Sequence, residues 1–224
     1  GKVLCGVSLL NGPARYGSDV ISRIKASMNG KAAELRLAVQ DDILRGIALL
    51  AGEAHIDPSA ITMCAIAANT AMVHLILGLP CDGLASSPFT PAQTRFPDIP
   101  WAAAFARSGS LSPGMKALRP DCPVRILPAV SAFIGGDVVA GLAVLDLASA
   151  GTNELLVDLG TNAEMALASG GRILCASAAA GPAFEGGRIS CGIGAIPGAV
   201  SSVRLEGGRF VYGLIGGGDD SSVS

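Results

Sequence analysis

The sequence predicts an α/β fold. Short apolar runs of strand length alternate along the chain with longer segments that show helical periodicity. Half of the 224 residues are hydrophobic, but only 4% are aromatic and 30 are glycine, which suits closely packed α/β layers better than a β-sandwich. Polar turns also join apolar strands to the helices that follow them, and this arrangement puts helix N-termini at the ligand-binding edge of a sheet.

In the first half of the chain, apolar patterning predicts two strands and three helices. The stretch KVLCGVSLL predicts a strand with no turn or cap before it, so the chain is expected to start within a sheet. A second strand leads through Asn69 into a helix for which Thr70 is the predicted cap. The predicted strands span residues 2–10 and 61–67, and the predicted helices span residues 18–28, 35–54 and 71–79.

Residues 80–123 have a different composition, with eight prolines and few periodic runs. This segment is predicted to be irregular, apart from one short helix over residues 101–106. It carries Trp101, the only tryptophan of the chain. Aromatic side chains on irregular segments are typical of partner contacts, whereas burial against the first half is the simpler alternative. Both interpretations stay open on the sequence.

Residues 124–127 are predicted to resume the first sheet as a strand, and a helix that opens at Gly135-Gly136-Asp137 and ends before Gly151 is predicted to join the first half to the second. Glycine pairs then predict hairpin turns. The further predicted elements are a meander over residues 155–159, 163–168 and 172–178, a helix from Pro182, and a hairpin over residues 198–205 and 209–214. The last residues, GGGDDSSVS, predict a flexible tail.

The most informative motif is LLVDLGTNAE, at residues 155–164. An apolar strand reaches Asp158 and turns on Gly160, Thr161 and Asn162, where backbone N–H groups and small polar side chains can form an anion-binding nest. Asp158 would then face a metal ion or the attacked phosphate, since an ionised carboxylate only accepts hydrogen bonds. The alternative is an ordinary β-hairpin whose turn Asp158 caps.

Composition excludes several functional classes. A net charge of −2 with only 15% charged residues provides no basic patch for nucleic acid. No apolar stretch approaches the roughly 20 residues that span a bilayer, and no signal peptide is evident. The six cysteines are scattered singly, which predicts neither a zinc site nor an iron–sulfur cluster in this chain. A cytoplasmic, reducing environment is therefore expected.

Several stretches together resemble one family. VDLGTNAEMAL, AAGPAFEGGRISCG and FIGGDVVAGLAVLDL are similar to the ATPase domain of the reductive activators of corrinoid proteins, and GSDVISRI and NTAMVHLILGLP fit the same family. These proteins belong to the superfamily of actin, sugar kinases and chaperone ATPases. The resemblance implies an actin-like (ribonuclease H-like) fold, in which two duplicated lobes with mixed sheets clasp ATP and magnesium.

The resemblance also implies how the chain is divided. Residues 1–134 would form the first lobe without its first strand, with an irregular insertion at about 80–123. Residues 135–150 would form an interlobe helix, and residues 151–224 the start of the second lobe. The family's first phosphate motif is expected upstream of Gly1 and its adenosine-contacting segment after the C-terminus. The chain is thus expected to be incomplete at both ends and inactive alone.

Carried over to this sequence, DLGTN resembles the second phosphate motif of the superfamily. Asp158 would then approach magnesium and its waters. The terminal phosphates would be cradled by Gly160, Thr161 and Asn162, and Glu164 would support the site from the adjacent strand.

Three residues outside this motif complete the expected site. Asp137 matches the region where the superfamily has a polar residue near the attacking water, and a helix cap is the alternative role for it. Gly181, in AAGPAFEGG, is expected to contact the nucleotide. Glu185, in the same stretch, would contact the metal or only cap its own helix.

The sequence thus predicts part of an ATP-dependent reductive activator, which restores the active cobalt state of a corrinoid protein in methyl transfer. ATP and magnesium are the expected cofactors, and an iron–sulfur cluster is expected only in a domain absent from this chain. A corrinoid protein is the expected partner. Two alternatives stay open: a non-catalytic actin-like docking module, and a phosphotransferase of the sugar-kinase type.

Overall fold

The structure is a computed structural model that describes residues 2–105, 118–149, 151–160, 162–180 and 197–216. The chain divides into two compact units, residues 1–178 and residues 179–224. The helices are α1 (Val20–Ala26), α2 (Ala32–Glu53), α3 (Thr70–Leu77), α4 (Asp82–Ala85), α5 (Trp101–Ala104) and α6 (Gly136–Val144). The strands are β1 (Cys64–Ile66), β2 (Ile99–Pro100), β3 (Pro123–Ile126), β4 (Glu154–Leu159), β5 (Asn162–Ser169), β6 (Arg172–Ala179), β7 (Val200–Glu206) and β8 (Arg209–Leu214).

The first sheet has the strand order β1-β3-β2. β1 and β3 are parallel, with Cys64 opposite Val124 and Ile66 opposite Ile126, and β2 is antiparallel to β3. Apolar side chains of α2, α3 and α5 pack on this sheet in a common core. Since parallel strands end at the same edge, the segments that follow β1 and β3 emerge side by side.

The helices α1 and α2 confirm two predicted helices. Asp19 caps α1 in a reciprocal arrangement with Ser22, because its carboxylate accepts from Ser22 N at 2.8 Å and Ser22 Oγ accepts from Asp19 N at 3.2 Å. Asn29 and Gly30 have non-helical backbone angles between the two helices. Gly30 has φ of 84°, a conformation that glycine adopts without strain, so the helical path is interrupted there.

The start of α3 corrects one prediction. Asn69, and not Thr70, is the N-cap, and its side-chain oxygen accepts from Met72 N at 2.9 Å. Thr70 is 1% exposed, and its hydroxyl instead donates to the backbone oxygen of Ser131 at 2.6 Å. Asparagine and threonine are both good caps, so the sequence alone could not decide between neighbours.

His74 has a structural role in α3. The residue is fully buried, its Nδ1 lies 2.8 Å from Thr70 O, and its Nε2 accepts from Ala92 N at 3.1 Å. A neutral imidazole with Nδ1 protonated satisfies both contacts. Burial lowers the pKa of His74 below its usual value. His74 therefore connects the proline-rich segment, residues 80–123, to α3 through its bond with Ala92.

Residues 2–10 form no strand in the described part of the chain, contrary to prediction. Burial nevertheless alternates along the segment, because Cys5, Val7 and Leu9 are half-buried and the residues between them are exposed. The Cys5 thiol contacts the backbone oxygen of Leu50 in α2 at 3.7 Å. Alternation thus determined which side packs on α2, but a strand also needs a backbone partner.

Trp101 belongs to the core. It is 5% exposed, and its ring stacks on Phe105 with 3.8 Å between the centroids. Both residues pack in the same apolar cluster as Val124 and Ile126 of β3. Burial of Trp101 against the first half, the simpler of the two interpretations, is therefore confirmed.

The second half follows its glycine pattern, with one correction. The sheet β4-β5-β6 forms as predicted, and β7 and β8 form the predicted hairpin around Gly207 and Gly208, with φ of 57° and 80°. The predicted helix before Gly151 is shorter, because α6 ends at Val144 and Asp146 has a left-handed φ of 49°. The helix predicted from Pro182 lies outside the described residues.

Candidate functional site

The LLVDLGTNAE motif forms an antiparallel hairpin. In the register of β4 and β5, Asp158 lies directly opposite Glu164, and Leu156 lies opposite Ala166. Residues two apart in a strand share a face. Asp158 and Glu164 therefore lie on the same face of the sheet as Leu156 and Ala166.

That face of the sheet is covered by α6. Leu156, Ala166 and Ile173 pack with Ile134, Val138 and Leu142 in one apolar cluster. Gly141 lies so close to the sheet that a Cβ there would be 2.8 Å from Cδ2 of Leu156. Asp158 and Glu164 therefore lie on the face of the sheet on which α6 packs, but nearer to the turn.

The two carboxylates have different surroundings. Asp158 is exposed, and its side-chain carboxylate has no hydrogen-bond or ion-pair partner among the described residues. Glu164 is half-buried and accepts a hydrogen bond from the Ser177 hydroxyl of β6 at 3.2 Å. Like charges directly opposite each other in a sheet are destabilising, so a cation between Asp158 and Glu164 would relieve their repulsion.

This donor set suits magnesium. Mg²⁺ is commonly held by one or two carboxylates together with water and substrate phosphates, and Asp158 offers an unpaired carboxylate at the end of a strand. Groups of three or more histidine, cysteine, aspartate or glutamate residues suited to a metal are absent from the described residues. The site would therefore rely on phosphate oxygens to complete the coordination of the ion.

The turn between β4 and β5 leaves room for a ligand. A Cβ at Gly160 would meet only Asn162 O, at the ordinary contact distance of 3.9 Å, so packing within the described chain does not require glycine there. Gly160 N donates to Asn162 O at 2.8 Å, and the side chain of Asn162 is exposed. In this conformation the N–H of Gly160 is already bonded, and a phosphate would have to displace that bond to use it. Thr161 lies outside the described residues.

Asp137 lies in the first turn of α6, half-buried. Its Oδ1 accepts from Val138 N at 2.9 Å, whereas Gly135 occupies the N-cap position. An acidic side chain is favourable at this end of a helix. Asp137 is thus not the N-cap, and its second carboxylate oxygen has no protein donor among the described residues.

Two further predicted site residues, Gly181 and Glu185, also lie outside the described residues. Ser177 was not predicted as a site residue. The sequence nevertheless indicates its position. A two-residue turn at Gly170-Gly171 fixes the register of the two strands, and in that register Ser177 lies opposite Glu164.

The described cysteines form no disulfide bonds with one another. Cys5, Cys64, Cys81, Cys122 and Cys175 are all free. Burial raises the pKa of the Cys64, Cys81 and Cys122 thiols, which keeps them protonated and unreactive. None of the helices in the described part of the chain is long and apolar enough to cross a lipid bilayer.

Family models account for nearly the whole chain. Residues 1–150 match the RACo middle region, and residues 152–221 match the C-terminal domain of RACo, the ASKHA domain. The chain belongs to the RACo family. The mixed α/β architecture with several sheets agrees with the actin-like ASKHA assignment of its second part.

Relatives and a solved structure agree with the RACo assignment. The corrinoid activation enzyme RamQ of Eubacterium limosum is 30% identical over 214 residues, which cover 93% of this chain and 34% of RamQ. The [Co(II) methylated amine-specific corrinoid protein] reductase of Methanosarcina barkeri is 47% identical over 87 residues, 39% of this chain and 16% of the reductase.

The solved structure of a reductive activator for corrinoid, iron-sulfur protein superimposes with a TM-score of 0.69 at 33% identity, over 92% of this chain and 32% of that protein. The RACo-family chain described here thus spans about a third of the length of RamQ and of this activator.

Proposed function

We propose that this chain is a fragment of an ATP-dependent reductive activator, which returns a corrinoid protein to its active cobalt state for methyl transfer, and that it carries part of the nucleotide site. The observation that carries the proposal is the hairpin pair of Asp158 and Glu164 beside an open glycine turn. Family membership supports it, and two relatives bear names that describe corrinoid activation and reduction of a Co(II) corrinoid protein.

In the proposed site, each residue acts by position and charge. Asp158 orients the metal through its unpaired carboxylate, and Glu164 adds negative charge from the facing strand. Thr161 and Asn162 offer N–H groups to the terminal phosphates, and Gly160 joins them once its bond to Asn162 O opens. Magnesium would neutralise charge that develops on the phosphates.

Asp137 is proposed to orient the attacking water. One of its carboxylate oxygens is engaged by Val138 N, which leaves the other as the acceptor for a water. Phosphoryl transfer requires positioning and charge stabilisation and no covalent nucleophile, so a fixed carboxylate suffices. Gly181 and Glu185 are proposed to contact the nucleotide and the metal.

The proposal includes two duplicated actin-like lobes, with residues 1–134 in the first, residues 135–150 as the interlobe helix and residues 151–224 opening the second. The boundary between the two family models, between residues 150 and 152, supports this division. Contacts that phosphate and metal make only in a closed arrangement would bias a hinge between the lobes. ATP turnover would thereby promote electron transfer to cobalt from an iron–sulfur domain elsewhere in the protein.

The test is Asp158→Asn in the full-length protein, with Glu154→Gln as the matched control. Glu154 lies on the same strand and face, about 13 Å further from the turn. Loss of an electrostatic contact to the reacting phosphates is expected to lower the kcat of ATP hydrolysis by about 100-fold or more. Glu154→Gln should keep the wild-type kcat, and both variants should unfold cooperatively.

Reduction of the corrinoid protein, followed by the visible absorbance of its cobalt, distinguishes the proposal from a docking module. An activator should lose ATP-dependent reduction with Asp158→Asn and still bind the corrinoid protein. Wild-type turnover in Asp158→Asn would mean that DLGTN is only a hairpin turn. Binding of the corrinoid protein by a wild-type protein without any ATP turnover would favour the docking module.

A further inference from the structure

The segments that follow β1 and β3 are fastened to each other beside Asp137. Because β1 and β3 are parallel neighbours, residues 67–69 and residues 127–135 leave the sheet at the same edge. Leu127 N donates to Ile66 O at 3.0 Å and continues the ladder to the end of the strands. The second of these segments leads directly into α6, which carries Asp137 in its first turn.

Two backbone contacts hold the first residues of α6 against the turn before α3. Gly136 N donates to Ala68 O at 2.9 Å. Gly135 lies so close to the same turn that a Cβ would be 2.6 Å from the Cα of Asn69, closer than real Cβ atoms come. Only glycine fits there, and this close approach fixes where α6 begins.

A third contact is made by Thr70. Its hydroxyl donates to Ser131 O at 2.6 Å from a position that is 1% exposed. Asn69 already caps α3, so the Thr70 hydroxyl is not needed for capping. Loss of the Thr70 hydroxyl would leave the backbone oxygen of Ser131 without this donor, so the segment around Ser131 would be held less firmly.

Ser131 transmits this contact towards Asp137. Its own hydroxyl accepts from Phe133 N and Ile134 N, both at 3.2 Å, and its backbone N donates to Ile134 O at 3.2 Å. Ile134 then packs in the cluster between α6 and the sheet of β4 to β6. The bond from Thr70 to Ser131 is thus connected to the start of α6 through a tightly bonded segment.

We infer that Thr70 is a positioning residue for Asp137: its buried hydroxyl holds the 131–136 segment so that Asp137 faces the attacking water at one fixed place. The inference rests on the proposed role of Asp137 in ATP hydrolysis. Thr70 itself touches neither nucleotide nor water. A small displacement of a positioned group can reduce a rate by about 100-fold.

The test compares Thr70→Val, which keeps the shape and removes the hydroxyl, with Thr70→Ser, which restores it. In the full-length protein, Thr70→Val should lower the kcat of ATP hydrolysis about 10- to 100-fold with little change in the KM for ATP. Thr70→Ser should recover most of the kcat. Thr94→Val is the matched control, because the bond of Thr94 to the neighbouring Ala129 uses the backbone oxygen of Thr94, which accepts from Ala129 N at 2.8 Å and is kept in this variant.

A double-mutant cycle shows whether Thr70 acts through Asp137. On an Asp137→Asn background, Thr70→Val should cause little further loss of kcat. A full additional loss there, or an unchanged kcat in Thr70→Val alone, overturns the inference. Ser131→Ala, which loosens the segment from its other side, should reproduce the loss of kcat and serves if Thr70→Val does not fold.

The outcomes also separate this inference from the proposed function. If Asp137→Asn is inactive and Thr70→Val is fully active, only the positioning role of Thr70 fails. If Asp137→Asn keeps wild-type turnover while Asp158→Asn loses it, Asp137 has no such role, and the inference falls although the nucleotide site stands. Unchanged turnover in both aspartate variants overturns the proposed function itself.

Discussion

At the scale of single residues, His74 shows how one buried side chain can make stability depend on pH. Its ring accepts the Ala92 N–H through Nε2, a bond that only the unprotonated nitrogen can make. Burial lowers the pKa of His74 in the folded protein, whereas an unfolded histidine titrates near pH 6.5. The unfolded state therefore binds a proton first as the pH falls, and stability decreases.

We predict that His74→Leu reduces the loss of stability between about pH 7 and pH 5. The stabilisation by neutral His74 is complete above the unfolded pKa of about 6.5 and is lost as the pH falls towards the lowered folded pKa. The free energy of unfolding in urea at several pH values measures this. A pH slope in His74→Leu equal to that of the wild-type protein would contradict the assignment.

Some of these residue roles were accessible from the sequence and others were not. Strand alternation and a short turn suffice to predict that Asp158 and Glu164 share a face. The bond from Thr70 to Ser131 joins residues 61 positions apart, and no local pattern encodes it. The α3 cap was predicted at Thr70, whereas the observed cap is Asn69, the residue type with the higher N-cap propensity of the two.

At the scale of elements, helices and hairpins with strong local signals were predicted well. The capping arrangement of Asp19 and Ser22 and the glycine pairs at the hairpins act within a few residues, so the sequence carries them directly. Residues 2–10 show the limit, because strand formation depends on a neighbouring strand. The end of α6 shows a second limit of prediction from sequence, because the apolar pattern continues beyond Val144 although the helix ends there.

The proline-rich segment yields a prediction about the core. Trp101→Ala should destabilise the protein by about 3–5 kcal/mol, since it removes a buried aromatic ring and leaves a cavity beside Phe105. Thermal or urea unfolding measures the change. Phe133→Ala, at a ring that is 52% exposed, is the control and should cost far less. Wild-type stability of the Trp101→Ala variant would contradict the assignment of Trp101 to the core.

At the scale of the whole molecule, the chain spans about a third of RamQ and of the matched activator. We propose that part of the nucleotide site lies in the rest of the full-length protein, so that the isolated chain holds only part of it. A partial site binds weakly, and a ligand stabilises only in proportion to its occupancy. The 224-residue chain and the full-length protein should therefore respond differently to nucleotide.

We predict that millimolar ATP and magnesium raise the melting temperature of the full-length protein and leave that of the isolated chain nearly unchanged. An ATP concentration of 100 times the Kd corresponds to about 2.7 kcal/mol of stabilisation. Differential scanning fluorimetry at increasing ATP concentration measures both proteins. A concentration-dependent rise in the melting temperature of the isolated chain would mean that its own residues suffice for binding.

The alternation that aligns the two carboxylates also has a cost on the opposite face of the same sheet. That face carries exposed side chains with fractional exposures of 61% for Leu155, 45% for Val157, 76% for Leu159, 38% for Leu167 and 60% for Leu174. Contiguous apolar patches of this kind are an aggregation liability in isolated domains. A soluble version of this chain for structural work would therefore need polar replacements on β4 and β6, and such replacements leave Asp158 and Glu164 on their own face untouched.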